Sequence, residues 1–510
     1  MFRRNFHMST FEDDFRQPLL YDAFNSNVPE STGQMPAMGI DGEAGVNEPE
    51  SNDPGSEVRN AGRWKQYYAT FVVCLAAYAT GLASGWASPM LIRLKSNDSP
   101  VGNMTLTEMS YLESIPTISG LVAVYLFGAV VDTFGRKPAG YVVGLFSIAG
   151  WLLLVMASSP LHLYIGRFFT GFSSVGGLMV GPIFLSEVVH ETRRGTLMAF
   201  IMVLTSVAQL QSFVLGDVLS YRLFNISCII SPLLFPLLFY WLPESPFFLC
   251  SKSRLEDAQT SLLWYRGGNK DVVSQELSNI SNSRRQNQSY LSTFKSKTAR
   301  KAISIVIFMF SFQQLGGSQV ISGFASLIFE DSGDPIPPNT SAIILSVIRL
   351  VATCCSLLLI DRVSRRFMMI STFFVMGVSL AIMSTFFYMK QIGVSAVNYY
   401  SWIPLACLCT FTLVNSVGVG TLPEVISNEV VPPQIKGASS MISGTVTLSV
   451  MFLCLQAFTF IRQHIGMYAN FVYPSFTNFL ACIIAYHVLP ETRGKSLNEI
   501  LNNLDEGSVK

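Results

Sequence analysis

Phe308–Phe329 reads FMFSFQQLGGSQVISGFASLIF. The run is long and apolar enough to cross a bilayer as a helix, yet it carries Gln313, Gln314 and Gln319 near its middle. An amide set against lipid tails has no hydrogen-bond partner, so these side chains are expected to face protein or a polar cavity. Gln313 and Gln314 are adjacent and cannot share one helix face, which leaves one for packing and one for the cavity. The pair Gly316-Gly317 lets a neighbouring helix come close or lets this helix bend around a solute. Two readings follow from the stretch alone: amides that glue helices together, or amides that line a passage.

The rest of the chain has the same character. Of its 510 residues 50% are hydrophobic and 13% charged, with mean hydropathy +0.41. A soluble domain carries about 25% charged residues, so this is an integral membrane protein. A net charge of +1 offers no case for a nucleic-acid partner. The nine cysteines sit mostly inside apolar runs, without zinc-ligand or disulfide-framework spacing, and read as packing. The five histidines form no metal or catalytic constellation, and there is no phosphate-cradling loop, so no cofactor, metal or direct ATP drive is expected.

Apolar runs recur at roughly 67–90, 112–131, 139–158, 162–184, 197–218 and 223–242. After a polar stretch come runs at roughly 302–324, 342–360, 367–388, 400–422, 438–460 and 468–489. Two sets of six predict an all-α, twelve-span protein of two six-helix bundles, with a duplicated architecture. The expected division is a disordered cytosolic tail over 1–62, bundles over 63–243 and 301–490, a linker with short helices over 244–300, and a C-terminal tail over 491–510. The first apolar run begins after residue 60, so no cleavable signal peptide is expected.

An even number of spans puts both termini on one side. Assigning that side to the cytosol leaves only Arg93, Lys95, Arg222, Lys390 and Arg462 outside, with Arg167 and Arg349 inside spans. Asn103 and Asn339 then lie outside as candidate glycosylation acceptors; Asn97 is a poorer one because Pro100 follows its motif. The plasma membrane is the expected home. Asp13–Leu20 resembles an acidic dileucine signal, one place out of register, which keeps an endosomal or lysosomal membrane open.

The two sets echo each other. After the second span stand Asp132, Arg136 and Lys137; after the eighth, Asp361, Arg362, Arg365 and Arg366. After the fourth come Glu187 and Arg194; after the tenth, Glu429 and Lys436. Each half closes on an acid after a proline, at Glu244 and Glu491. Such charges fix topology as positive-inside residues, or pair between helix ends and gate an alternating-access machine; three matched echoes favour the gate.

With these motifs the chain resembles the sugar porter branch of the major facilitator superfamily over about residues 66–497. The resemblance rests on Gly128…Asp132…Gly135-Arg136-Lys137, Gly166-Arg167…Gly171, Glu187…Arg194-Gly195, Pro243-Glu244-Ser245-Pro246, Gln313-Gln314-Leu315, Asp361-Arg362…Arg365-Arg366 and Pro490–Gly494. The wording around Val347–Asp361 looks closest to insect facilitated trehalose transporter-like members. It implies a major facilitator fold, two bundles rocking about a central sugar site, and no enzyme chemistry.

Set against the family's sugar pattern, the site departs. Gln313 and Gln314 match its paired glutamines, and its next Asn becomes Gln319. The two aromatics that help close the family's outer gate fall at Gly323 and Phe324. Its cavity Gln aligns with Met202, its cavity Asn with Arg349, its Gly-Pro-x-Pro-Trp with Gly420–Glu424, and its Asn-Trp pair with Thr447-Leu448. Hydroxyl-directed amides and an aromatic face suit a sugar; amides and indoles are gone here, while Arg349 and Glu424 have arrived. Glu424 can bind solute, carry a proton or pair with Arg349; Arg349 can bind an anionic group, pair, or snorkel. Trp86, Trp402, Tyr399 and Tyr400 are expected at helix ends as headgroup anchors, and Tyr78 is a further cavity candidate. The expected function is a lipid-embedded transporter of a small solute, a hexose or disaccharide, by facilitated diffusion or proton coupling. The alternatives are a low-flux sensor or scaffold, or a porter of a charged or other non-sugar solute.

Overall fold

A computed structural model describes residues 62–96, 99–283, 296–333, 335–360 and 362–506. Residues 1–61, including Asp13–Leu20, together with Asn97 and Asp361, lie outside them. Helix dominates, and no strand occurs among the described residues. Among the described residues, twelve helical segments have spanning length and apolar composition. They are α1 (Arg63–Lys95), α2 (Leu106–Thr133), α3 (Arg136–Val155), α4 (Pro160–Val188), α5 (Glu191–Val218) and α6 (Tyr221–Phe239). The second set is α7 (Lys297–Gly323), α8 (Pro338–Leu359), α9 (Arg365–Gln391), α10 (Ile403–Val430), α11 (Lys436–His464) and α12 (Ala469–Val488). Short helices at Pro246–Ser251, Leu255–Tyr265 and Lys270–Ser283 lie between the sets, at what we call the linker end.

Local chemistry sets the helix starts. Thr105 and Glu108 form a capping box at α2: the Glu108 N–H donates to Thr105 Oγ1 (3.3 Å) and the Thr105 N–H to Glu108 Oε2 (2.7 Å). Ser364 caps α9 by accepting from the Phe367 N–H. Gly171 on α4 supplies a close approach: a Cβ there would lie 2.4 Å from the Pro116 Cα of α2.

Two spans are broken in mid-course. Gly317 has φ 91°, which ends the helix at Leu315 and restarts it at Ser318. The helix of α10 ends at Val417 and restarts at Leu422. Inside a bilayer the carbonyls released at such breaks need partners. Thr477 Oγ1 donates to the Leu315 carbonyl (3.0 Å) and Asn478 Nδ2 to the Gly316 carbonyl (3.2 Å), both from α12. Gln313 Nε2 donates to the Val419 carbonyl of α10 (2.8 Å).

Between the halves, polar bonds gather towards the end away from the linker. Ser88 meets Ser326 (2.8 Å), Lys95 pairs with Glu330 (2.8 Å), Gln456 Nε2 donates to Ser114 Oγ (2.6 Å) and Gln209 Nε2 to Ser322 Oγ (2.8 Å). Behind this seam lies a buried ion pair, Arg167 Nη2 to Glu113 Oε2 at 3.0 Å. Arg167 also donates to the carbonyls of Ala83 (2.7 Å) and Leu112 (3.3 Å) and lies over the Trp86 ring. Trp86 is therefore an interior residue, wholly buried with Nε1 donating to Asn225 Oδ1, and not the headgroup anchor the sequence suggested. Tyr399, Trp402 and Tyr400 are exposed. Gly323 of α7 packs directly on this pair, since a Cβ there would lie 2.4 Å from Glu113 Oε1.

Replacing Glu113 by Ala leaves the buried Arg167 charge uncompensated and is expected to cost about 3–5 kcal/mol. Thermal unfolding of detergent-purified protein measures it, and a melting temperature equal to wild type would show that the pair does not hold the fold.

Candidate functional site

The broken turns of α7 and α10 face each other and carry amides. Besides Gln313, Ser318 Oγ donates to Asn415 Oδ1 (2.7 Å) across the same gap. Gln314 Nε2 reaches Gln313 Oε1 at 3.5 Å, while Gln314 Oε1 is buried and has no partner among the described residues. Gln319 is half-buried. Thr447 on α11, which packs against α7, likewise keeps Oγ1 buried without a partner among the described residues. Gln313 is thus committed to helix packing, and Gln314 is the amide with unused hydrogen-bonding capacity.

Arg349 and Glu424 do not pair with each other among the described residues. Arg349 Nη1 donates to Ser322 Oγ at 3.3 Å. Glu424 is exposed on the short helix Leu422–Val430, whose Leu422, Pro423 and Ile426 are buried. Met202 on α5 is 43% exposed and brings no donor to the α5 wall. The polar groups of α5 lie one and two turns farther on, at Ser206, Gln209 and Gln211. Ser206 meets Thr353 at 3.3 Å, and Gln211 Oε1 accepts from the hydroxyl of Tyr78.

At the linker end the echoed charges form two matched clusters. In the first half Arg136 holds Glu187 through Nη2–Oε1 (2.7 Å) and Nε–Oε2 (2.9 Å), and Ser245 Oγ donates to Glu187 Oε2 (2.5 Å). Glu244 accepts from the backbone N–H groups of Arg136 (3.2 Å) and Lys137 (2.9 Å). In the second half Arg365 Nη2 meets Glu429 Oε1 at 3.4 Å, and Glu491 accepts from the N–H groups of Arg365 (3.1 Å) and Arg366 (3.3 Å) and from Ser364 Oγ. These pairs join helix ends within one half. Lys137 Nζ donates to the Tyr240 carbonyl and Arg366 Nη2 to that of Tyr486, again inside their own halves. Asp132 forms no ion pair among the described residues; Arg194 and Lys436 are half-buried and Arg362 is exposed. Asp361 is outside the described residues.

Of the glycosylation candidates, Asn103 is exposed in the loop before α2. Asn339 lies in the first turn of α8, and its Nδ2, the atom a glycan would occupy, donates to Asp217 Oδ1 at 2.8 Å.

Against this geometry, the family pattern described as "Sugar (and other) transporter" matches residues 66–504. The chain belongs to this family. Similar curated proteins include the facilitated trehalose transporter Tret1 of Apis mellifera ligustica, 28% identical over 440 residues, covering 85% of this chain and 87% of the relative. The Tret1 of Bombyx mori is 26% identical over 449 residues, covering 87% and 88%. Among solved structures, the inward-open xylose transporter XylE from E. coli superposes with TM-score 0.70 at 18% identity, covering 85% of this chain and 99% of that one. A partially occluded inward-open form gives 0.69, covering 84% and 100%. At that identity the likeness is one of fold, a major facilitator fold of two six-helix bundles. The transporter is of the alternating-access type and moves a small solute across the membrane.

Glu491 lies just past α12. Burial raises its pKa, but the hydrogen bonds from Ser364 and from the N–H groups of Arg493, Arg366 and Arg365 outweigh that and hold it below the ordinary value. A depressed carboxyl stabilises the fold above its unfolded pKa, and the contribution is lost as pH falls through the folded one. The melting-temperature gap between wild type and Glu491→Gln is therefore expected to be full near neutral pH and to close as pH drops below about 4. A gap independent of pH would show that the carboxylate charge is not what the helix start uses.

Proposed function

We propose that the transported solute is of sugar size, a hexose or a disaccharide in the first instance, moved by facilitated diffusion or with a proton. The observation that carries this is the pair of facing helix breaks in α7 and α10. Discontinuous helices near mid-membrane are where transporters of this build expose polar backbone and amides to a solute. Gln314 and Thr447 support it, because each keeps a buried polar atom without a partner among the described residues. The trehalose named for the insect relatives and the xylose named for the bacterial structures motivate the choice of first substrates.

The linker end is assigned to the cytosol, with both termini there, on the positive-inside distribution of Lys and Arg. On that assignment the structure is closed towards the outside, and the two charge clusters bind each half's helix ends into one moving body. Asn103 is then the glycan acceptor, in the plasma membrane or an endosomal one. The boundaries 1–62, 63–243, 244–300, 301–490 and 491–510 divide the chain into tail, bundle, linker, bundle and tail.

Proteoliposome uptake of glucose, trehalose and xylose, with and without a proton gradient, tests the reading. Gln314→Ala is expected to raise KM roughly two- to tenfold, the equivalent of one hydrogen bond of ~0.5–1.5 kcal/mol. Normal KM in correctly inserted protein would remove Gln314 from the site. Saturable binding of these solutes without net flux would favour a sensor in a transporter's shape. Where uptake follows the gradient, Glu424→Gln is expected to abolish that dependence; retained dependence would place the coupling group elsewhere.

A further inference from the structure

Three buried arginines of the membrane-spanning helices are each held by an acid. Arg136 has Glu187 (2.7 Å), Arg167 has Glu113 (3.0 Å) and Arg365 has Glu429 (3.4 Å). Arg349, in the middle of α8, makes no ion pair among the described residues. Its one hydrogen bond from a side-chain nitrogen is Nη1 to Ser322 Oγ at 3.3 Å, out of five N–H donors a guanidinium offers. An uncompensated cation at this depth is expensive, so its retention calls for a negative partner that the described residues do not supply.

The surroundings are built for an oxyanion. Ser322 Oγ accepts from both Arg349 and Gln209 Nε2, so its own proton is left to donate. Thr353, one turn after Arg349, donates to the Arg349 carbonyl (2.8 Å) and meets Ser206 of α5 (3.3 Å). The cluster thus spans α5 of one half and α7 and α8 of the other. The planar guanidinium fork matches a carboxylate or phosphate bidentately, where an amide at the same place would serve a neutral hydroxyl.

We propose that Arg349, with Ser322 and Gln209, is a binding site for an oxyanion group, carboxylate or phosphate, carried by the transported solute. This rests on the transport reading above and narrows it: the preferred solute is a sugar acid or sugar phosphate, not the neutral sugar. Because the site draws on both halves, the anion is gripped while the halves are together at the end away from the linker and is released as they part there.

Full-length protein in liposomes is tested with glucuronate, glucose 6-phosphate and glucose as separate probes. At least one anion is expected to enter with kcat/KM tenfold or more above glucose, and which one enters tells carboxylate from phosphate. Arg349→Asn is expected to lower the anion-to-glucose uptake ratio at least tenfold, and Arg349→Lys, which keeps the charge but loses the fork, to keep part of it. Thermal stabilisation of purified wild type by the same anion, lost in Arg349→Asn and retained in Arg349→Lys, gives a readout independent of flux. Uptake of glucose with neither anion carried nor binding would overturn the proposal and leave the transport reading standing. An anion preference unchanged in Arg349→Asn would overturn it too. Absence of uptake and binding for all three probes would sink the sugar-sized solute itself, and the proposal with it.

Discussion

A bilayer core offers backbone carbonyls no water, and this constraint organises the centre of the transporter. Each break in α7 and α10 releases carbonyls that a continuous helix would have bonded internally. The chain answers with side chains from neighbouring spans: Thr477 and Asn478 of α12 serve the α7 break, and Gln313 serves the α10 break. The Gln313 bond fixes the two broken turns against each other, beside the Ser318–Asn415 bond across the same gap. The polar site is a consequence of how the breaks are satisfied.

The same constraint explains the duplicated charges. Glu244 and Glu491 each accept from the first two N–H groups of a helix, α3 in one half and α9 in the other. An acid placed there meets the unsatisfied N–H groups and the positive end of the helix dipole. The adjoining Arg136–Glu187 and Arg365–Glu429 pairs then tie that helix start to the end of the next span. The first ion pair is the tighter, with two charge-assisted bonds at 2.7 and 2.9 Å against Arg365–Glu429 at 3.4 Å. Ends welded in this way within each half let the halves move as bodies, which is what alternation between them requires.

Much of this was legible in the chain. Span length and apolar composition gave the twelve helices, and the spacing of Asp, Arg and Glu after alternate spans gave the internal duplication. Gly316-Gly317 beside paired glutamines announced the break in α7. Other features depend on distant partners that a local reading cannot see. Glu113 is a single acid in an apolar run, and its meaning appears only once Arg167 is beside it. The α10 break shows in sequence as Gly418 and Gly420, but the partner of its free carbonyl is more than a hundred residues away, at Gln313. Gln209 and Ser322 are ordinary polar residues until the halves meet. The Asn339 motif was readable while its Asp217 partner was not.

The closed end shows how a departure in one place is answered in another. The family pattern puts two aromatics where this chain has Gly323 and Phe324. A side chain at 323 would run into Glu113 Oε1, 2.4 Å from the first atom it would add. Glu113 and a bulky residue at 323 are therefore mutually exclusive in the closed arrangement, and the glycine is the complement of the buried ion pair. Aromatic closure then falls to Phe324 alone, stacked on Phe458 of α11 at 4.5 Å and 12°. An offset ring pair of this kind is worth ~0.5–1.5 kcal/mol beyond its buried area. The hydrogen bonds of Ser88, Gln209 and Gln456 across the halves supply a comparable amount each, ~0.5–1.5 kcal/mol. No single contact holds that end shut. A closure made of several weak contacts can be undone by modest differential binding of a solute, and an alternating-access transporter has to meet that condition.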